Sequence, residues 1–224
     1  MKGLAVDLSV SELTVSAKNE DLSVSAQFNI GMRQSETLLP AIEYVMERVG
    51  IKKDDLDYLA IAKGPGSFTG LRLSFAALKA IQLAAGIPLY GISSLDIYAW
   101  QYRELPYVIV PAIDARKDKF YAKALTNGTE ALAEGDYEPS ALAEKLRTLT
   151  GDILLCGPDA SLLKHQLPPL MSGRTVLSID FHQNPAKALF EIAEGMISAQ
   201  KPPLNEYDGP EYIRASEAEE KLRS

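Results

Sequence analysis

A chain of 224 residues, 46% of them hydrophobic, is long enough to bury a core as one large domain or two small ones. Its formal charge of −7, from 23 basic and 30 acidic side chains, argues against a protein that binds a nucleic-acid backbone by itself. The single cysteine, Cys156, excludes an intramolecular disulfide and a cysteine metal cluster, and it suits a reducing compartment.

The sequence predicts neither an export signal nor a membrane span. Asp7 falls where a signal peptide would have its apolar core. The low-charge run over residues 73–100 contains Lys79, Gly86 and Pro88, and it therefore predicts helix, turn and strand in place of a span. We expect a cytoplasmic protein.

The first hundred residues predict the element order βββαβαβα. Three β-prone runs, residues 4–8, 13–17 and 22–28, are separated by polar residues and predict an antiparallel meander. A helical apolar period follows from Ser35 to Gly50. The remaining elements are a strand at 58–62, a helix at 71–85, a strand at 89–92 and a helix from 94 to 100.

The pattern restarts near residue 104, so we predict a first lobe over residues 1–103 and a second, more divergent lobe over 104–224. Strands at 107–113 and 119–125 flank a polar hairpin connection. A helix near 140–149, strands at 153–156 and near 175–179, and a helix at 185–199 follow. The second lobe is predicted to echo the first, with a C-terminal segment that can pack back on the first lobe.

A glycine-rich loop joins the fourth predicted strand to the next helix. Its glycines allow close backbone approach, and amides at a helix N-terminus favour an anion, so phosphate binding is one interpretation. The spacing is not that of a P-loop, because only three residues separate the last two glycines and a leucine follows them. We favour a tight strand-to-helix turn with Ser67 or Thr69 as N-cap. The loop consists of Gly64, Pro65, Gly66, Ser67, Phe68, Thr69, Gly70, Leu71 and Arg72.

Few side chains suggest chemistry of their own. Asp7, with Ser9 nearby, could hold a metal–phosphate pair or could cap a β-turn, and the glycine-poor hairpin after it predicts weak binding at best. The two histidines, His165 and His182, lack the spacing of metal ligands on one helix. We predict no catalytic residue and no metal site.

Two neighbouring predicted helices, residues 38–49 and 71–85, are apolar over much of their surface. The helix after the glycine loop is rich in small residues, which would let another helix approach closely or pack on the sheet. Together with the first helix it could serve as core alone or as core plus partner interface. The predicted interface residues are Leu38, Leu39, Ile42, Val45, Met46, Leu73, Ala76, Ala77, Ala80 and Ala84.

Residues 63–72 resemble the Gly-Pro-Gly-Ser-Phe-Thr-Gly-x-Arg signature of the TsaB/YeaZ family. Residues 4–9 are similar to that family's opening strand, although Leu8 stands where Thr is usual, and residues 35–42 and 113–116 resemble its first helix and its second-lobe hairpin. Residues 210–214 resemble its C-terminal Pro-x-Tyr-x-Arg.

The resemblance implies an α/β, two-lobed actin-like ATPase (ASKHA, ribonuclease H-like) fold, each lobe a mixed sheet flanked by helices. It also implies a non-catalytic scaffold subunit without cofactor. The larger sister TsaD would dock on first-lobe helices and carry the metal and ATP-linked chemistry, the ATPase TsaE would join them, and threonylcarbamoyl would be transferred to the tRNA adenosine beside the anticodon. Contact with tRNA would be indirect, and the isolated chain would form a homodimer.

Within this resemblance Asp7, Ser9 and Asp114 mark a weak, vestigial nucleotide site. One alternative is a free-standing phosphotransferase of the same fold, with Asp7 and Asp114 holding ATP and magnesium. Another is a metallopeptidase, since relatives have been grouped with glycoproteases. It is disfavoured because Gln34 and Thr37 stand near the positions of the sister's histidine ligands.

Overall fold

The computed structural model describes residues 1–171, 173–179 and 184–214 of the chain. Within these residues two five-stranded mixed sheets are each flanked by helices. His182 lies outside the described residues. No helix among those described is long and apolar enough to cross a membrane.

The first sheet has the strand order β3-β2-β1-β4-β5. β1 (Lys2–Asp7), β2 (Leu13–Asn19) and β3 (Leu22–Phe28) form the predicted antiparallel meander, whereas β4 (Tyr58–Gly64) and β5 (Leu89–Ser93) run parallel to β1. β1 and β4 at the centre of the sheet, and β5 next to β4, are buried on both faces, as expected for parallel strands covered by helices.

Helices α1 (Gln34–Arg48) and α2 (Phe68–Ala85) pack on one face of the first sheet, and α3 (Ser94–Ala99) follows β5. α1 packs through its 3.6-residue apolar period, and α2 ends at Gly86, whose φ of +68° is typical of a left-handed C-cap. Short 3₁₀ turns lie at Gly31–Arg33, Lys53–Asp55 and Trp100–Tyr102.

The second sheet repeats the connectivity of the first. β6 (Val108–Arg116), β7 (Lys119–Thr126) and β8 (Thr129–Tyr137) form an antiparallel meander, and β9 (Ile153–Cys156) and β10 (Val176–Ser178) add parallel to β6. Its order, β8-β7-β6-β9-β10, corresponds strand by strand to the first sheet, so the predicted echo is confirmed. α4 (Pro139–Leu146) and α5 (Ala160–Gln166) pack on this sheet, and a 3₁₀ turn spans Pro168–Leu170.

Two elements of this region were not predicted from the sequence, namely β8 and α5. β8 follows Asn127-Gly128, whose φ values of +49° and +72° are those of a tight hairpin turn. This dipeptide was the available signal for the hairpin. α5 contains seven residues, too few for a clear helical period.

The chain divides into two compact units that differ from the predicted lobes. The first contains Met1–Ile97 and Asn184–Glu211, and the second contains the described residues of Tyr98–Gln183 and Tyr212–Ser224. The first boundary falls before residue 103 because Ala99 packs among Ile109, Leu154 and other apolar residues of the second unit.

Helix α6 (Ala186–Ser198) belongs to the first unit, although it follows the strands of the second. It packs on the face of the first sheet opposite α1 and α2. The buried hydroxyl of Tyr58 donates to Glu194 Oε1 at 2.9 Å, Lys18 Nζ lies 2.6 Å from the same oxygen, and the Phe190 ring meets Tyr58 edge to face. A hydrogen-bonded carboxylate thus fixes the returning helix on the sheet.

Candidate functional site

The signature loop, residues 64–72, connects β4 to α2. Ser67 is the N-cap of α2, and its hydroxyl accepts the N–H of Gly70 at 3.3 Å. Its own main-chain N–H donates to the carbonyl of Ser9 at 2.6 Å. The strand-to-helix turn predicted for this loop is therefore present, with Ser67 and not Thr69 as the cap.

The glycines of the signature loop face backbone from other parts of the first unit. A Cβ on Gly66 would lie 2.1 Å from the carbonyl oxygen of Ser9, and one on Gly70 would lie 2.1 Å from that of Leu8. A Cβ on Gly64, whose φ is +116°, would lie 2.4 Å from the carbonyl oxygen of Glu211. These glycines admit the turn after β1 and the C-terminal segment into close contact with the loop.

The other conspicuous residues of the loop are Pro65, Phe68 and Arg72. The Gly64–Pro65 peptide bond is cis. The Arg72 guanidinium lies over the Phe68 ring, with its central carbon 3.9 Å from the ring centroid, so the last signature residue is held by stacking at the surface of α2.

Asp7 and Asp114 occupy equivalent places, each close to the end of the first strand of its sheet. Asp7 is 1% exposed, and its Oδ1 accepts the Ser9 N–H at 2.8 Å and the Ser9 hydroxyl at 2.7 Å. Asp114 Oδ1 accepts the Arg116 N–H at 2.7 Å. Both carboxylates therefore cap local turns, the alternative considered for Asp7. Asp7 and Ser9 lie in the first unit, and Asp114 lies in the second.

Asp159 supports the Asp114 turn. Its Oδ2 accepts the Asp114 N–H at 2.7 Å, and the Arg116 guanidinium lies 3.3 Å from Asp114 Oδ2. Burial, more than the nearby Asp114 charge, raises the pKa of the Asp159 carboxyl, although the Asp114 N–H opposes the shift. His165 is exposed on α5, and the described residues contain no group of three or more His, Cys, Asp or Glu arranged to hold a metal ion.

An apolar groove of about 1020 Å³ runs between α1 and α2. Nine of the ten predicted interface residues line it, and Val45 does not, because it is fully buried in the first core. Leu38, Ile42 and Met46 are also buried and form the floor, whereas Leu39 is 57% exposed on the rim. From α2 the groove receives mostly alanines, which leave room for a close-packed helix: Leu73, Ala76, Ala77, Ala80, Ile81 and Ala84.

Charged residues mark one side and one end of the groove, and they were not predicted. Glu43 and Glu47, four residues apart on α1, line one side, while Lys52 and Lys53 follow α1 at the end. The i, i+4 spacing beside Leu39 was a usable signal for the acidic pair. The groove is therefore apolar at its centre and charged at its border.

The family model described as "TsaD: tRNA N6-adenosine threonylcarbamoyltransferase" matches residues 31–146, just over half of the chain. The Bacillus subtilis (strain 168) "tRNA threonylcarbamoyladenosine biosynthesis protein TsaB" is 26% identical over 97% of this chain and 96% of its own length. The chain belongs to the TsaB/YeaZ family.

Solved structures agree with the TsaB/YeaZ assignment. A Pseudomonas aeruginosa protein described as similar to "peptidase YEAZ" superimposes with a TM-score of 0.78 and 25% identity, over 95% of this chain and 99% of that one. An "Inorganic Polyphosphate/ATP-Glucomannokinase" from Arthrobacter sp. strain KM matches with a TM-score of 0.51 and 10% identity, over 87% of this chain and 99% of that one, a likeness of fold alone. The predicted actin-like ATPase fold is confirmed.

Proposed function

We propose that this chain is a non-catalytic subunit in the threonylcarbamoyladenosine modification of tRNA, and that it presents the α1–α2 groove to a TsaD partner. The names of its relatives support the pathway. The observation that carries the docking role is the open apolar groove, because a single chain that leaves such a surface uncovered is typical of a subunit.

The character of the groove suits a helical partner. Its floor is already part of the first core and most of its lining comes from α1 and α2, so the partner would meet a largely helical surface. Leu39 on the rim of the groove is 57% exposed, which supplies a large side chain for burial on association. The alanines of α2 that line the groove allow a helix to approach closely.

The non-catalytic part of the proposal is supported by the hydrogen bonds of the signature loop and of the predicted nucleotide site. The Ser67 N–H, which could have bound an anion at the start of α2, donates to Ser9 of the same chain. Asp7 accepts from Ser9, and Asp114 accepts from Arg116. Each of these groups serves the packing of its own unit, and nucleotide contact at Asp7, Ser9 and Asp114 would be weak.

We further propose the cytoplasm as the site of action and TsaE as a second partner. A second copy of the chain would occupy the same groove when TsaD is absent, since one apolar surface can bury against either. Contact with tRNA would come through the complex, which agrees with the net charge of −7.

Reconstitution tests the proposal. Threonylcarbamoyl transfer to tRNA is measured with TsaD, TsaE and threonylcarbamoyl-adenylate synthase from the same organism, with and without this chain. We expect transfer to require the chain, and the chain alone to give no turnover. Transfer that proceeds equally well without it would contradict the role, and calorimetric binding of ATP and magnesium to the isolated chain at micromolar affinity would favour a phosphotransferase.

A further inference from the structure

The C-terminal segment of the first unit, Leu204–Glu211, runs back over the first sheet. The Leu204 N–H donates to the Leu89 carbonyl of β5 at 2.7 Å, and the Glu211 N–H donates to the Lys63 carbonyl of β4 at 2.7 Å. Lys63 Nζ lies 2.5 Å from Glu211 Oε1. Both ends of the segment are thus tied by main-chain hydrogen bonds to the two strands that flank α2 in the sequence.

The same segment contacts α2 directly. Lys79 Nζ donates to the Asn205 carbonyl, and Gln82 Nε2 lies 3.5 Å from the Leu204 carbonyl. The Leu204 side chain packs with the first core, over Gly91, where a Cβ would lie 2.9 Å from it. One segment therefore joins the second half of α2 to β5.

These contacts lie outside the groove. Neither Lys79 nor Gln82 lines it, although both belong to α2. The groove lining comes from α1, α2 and residues 50–53, so Leu204 lies outside it. The segment and a partner in the groove would therefore contact different residues of α2.

The segment also reaches the loop that leads into α2. A Cβ on Gly64, the last residue of β4, would lie 2.4 Å from the Glu211 carbonyl oxygen, and Gly64 opens the signature loop before α2. The segment thus contacts the loop before the helix at Gly64 and the second half of the helix at Lys79 and Gln82.

We propose that Leu204–Glu211 is a brace that sets the position of α2, and that it thereby sets the affinity of the groove for its partner without touching that partner. Leu204 is the main positioning residue, because it combines a backbone bond to β5 with side-chain packing in the core. This inference rests on the proposed docking function of the groove.

The test compares two cavity-forming variants of the full chain. Leu204→Ala removes the packed side chain of the brace, whereas Leu163→Ala removes a fully buried leucine of the second core, far from α2 in the sequence. Affinity for TsaD of the same organism is measured by calorimetry well below both melting temperatures, and amide hydrogen exchange of α2 is followed in the free chain.

We expect Leu204→Ala to speed exchange in the second half of α2 and to raise Kd by about fivefold or more, the usual lower range of coupling between sites. Leu163→Ala should lower the melting temperature at least as far with Kd unchanged. Leu204→Met, which conserves volume, should restore Kd. Lys79→Met, which removes the donor to Asn205 and keeps the helix, should raise Kd less.

Ala77→Arg, in the groove itself, separates failure of the brace from failure of the docking role. Loss of binding in Ala77→Arg together with an unchanged Kd in Leu204→Ala would overturn the brace and leave the docking face intact. Unchanged binding in a folded Ala77→Arg variant would remove the docking face and the brace with it. Equal weakening of binding by Leu163→Ala would show a general loss of stability and would also overturn the inference.

Discussion

The Ser67 N–H donates to the Ser9 carbonyl at 2.6 Å and thereby joins the start of α2 to the turn after β1. Residues far apart in the sequence meet here because the parallel strands β1 and β4 are neighbours and both end at the same edge of the sheet. In many nucleotide-binding proteins a glycine loop before a helix holds phosphate. In this chain the corresponding amide holds a carbonyl oxygen of the same unit.

Gly70→Ala should destabilise the chain, because Gly70 lies against the backbone of the same turn after β1. A Cβ at position 70 would lie 2.1 Å from the Leu8 carbonyl oxygen, a backbone atom that cannot rotate away, so we expect a loss of about 1–3 kcal/mol in the free energy of unfolding. Chemical denaturation measures it.

The control is Gly195→Ala in α6, where a Cβ has open space. Alanine in place of glycine in a helix should stabilise by about 0.5–1 kcal/mol. Equal effects of the two substitutions would show that the close approach at Gly70 does not matter to stability.

Tyr58 should make stability depend on pH in the alkaline range. Burial, followed by its hydrogen bond to Glu194, raises the pKa of the Tyr58 hydroxyl above its usual value of about 10. Because the folded state holds the proton more tightly, this contribution to stability is fully present below pH 10 and falls as the pH rises above it.

Tyr58→Phe is the matched variant for that titration. It should lose about 1 kcal/mol near neutral pH, the value of one hydrogen bond, and its stability should fall less steeply above pH 10 than that of the unsubstituted chain. Denaturation curves at several pH values measure both. Parallel pH profiles of the two proteins would rule out Tyr58 as the responsible group.

Much of the first unit could be predicted from the sequence, since α1 and the β1–β3 meander have clear apolar periods of 3.6 and 2 residues. β8 could not be found by period, because it lies at the edge of its sheet with few buried side chains and carries Glu130 and Asp136. α6 returns to the first sheet, where Glu194 meets Tyr58 and Lys18, and no local pattern predicts contacts between residues so far apart in the sequence.

The lining of the groove could likewise be predicted only in part from the sequence. Periodicity identified the apolar faces of α1 and α2 but could not separate Val45, which lies wholly in the core, from Leu39, which is left exposed. That division depends on where the two helices meet, which is a property of tertiary packing.

Glu47→Lys should weaken association with TsaD and should alter its dependence on salt. Glu47 lines the groove beside Glu43, so a complementary partner would place cations there, and charge reversal should slow association. The control is Glu144→Lys on α4, an exposed position in the second unit with the same change in net charge. Surface plasmon resonance over a range of ionic strength measures both, and identical association rates would rule out electrostatic steering at the groove.

Arg214 should be needed for the stability of the second unit. Its Nε and one terminal nitrogen lie 3.1 and 2.6 Å from Asp136 Oδ2, and the other terminal nitrogen donates to the Ala115 carbonyl at 2.9 Å. Both side chains are less than one-fifth exposed, and Asp136 Oδ1 is buried without a hydrogen-bond partner among the described residues. Loss of the guanidinium would leave a half-satisfied carboxylate in a largely buried place.

We therefore expect Arg214→Ala to lower the free energy of unfolding by about 2–3 kcal/mol and Arg214→Lys to recover only part of it, because an ammonium cannot reproduce the planar fork. Adding Asp136→Asn to Arg214→Ala should recover stability, since the buried charge is then gone. The exposed pair Lys119–Glu138 supplies the control, as Glu138→Ala should change stability by less than about 1 kcal/mol. If the effects of the Asp136 and Arg214 substitutions on the free energy of unfolding are instead additive in a double-mutant cycle, the interaction between the two side chains does not stabilise the second unit.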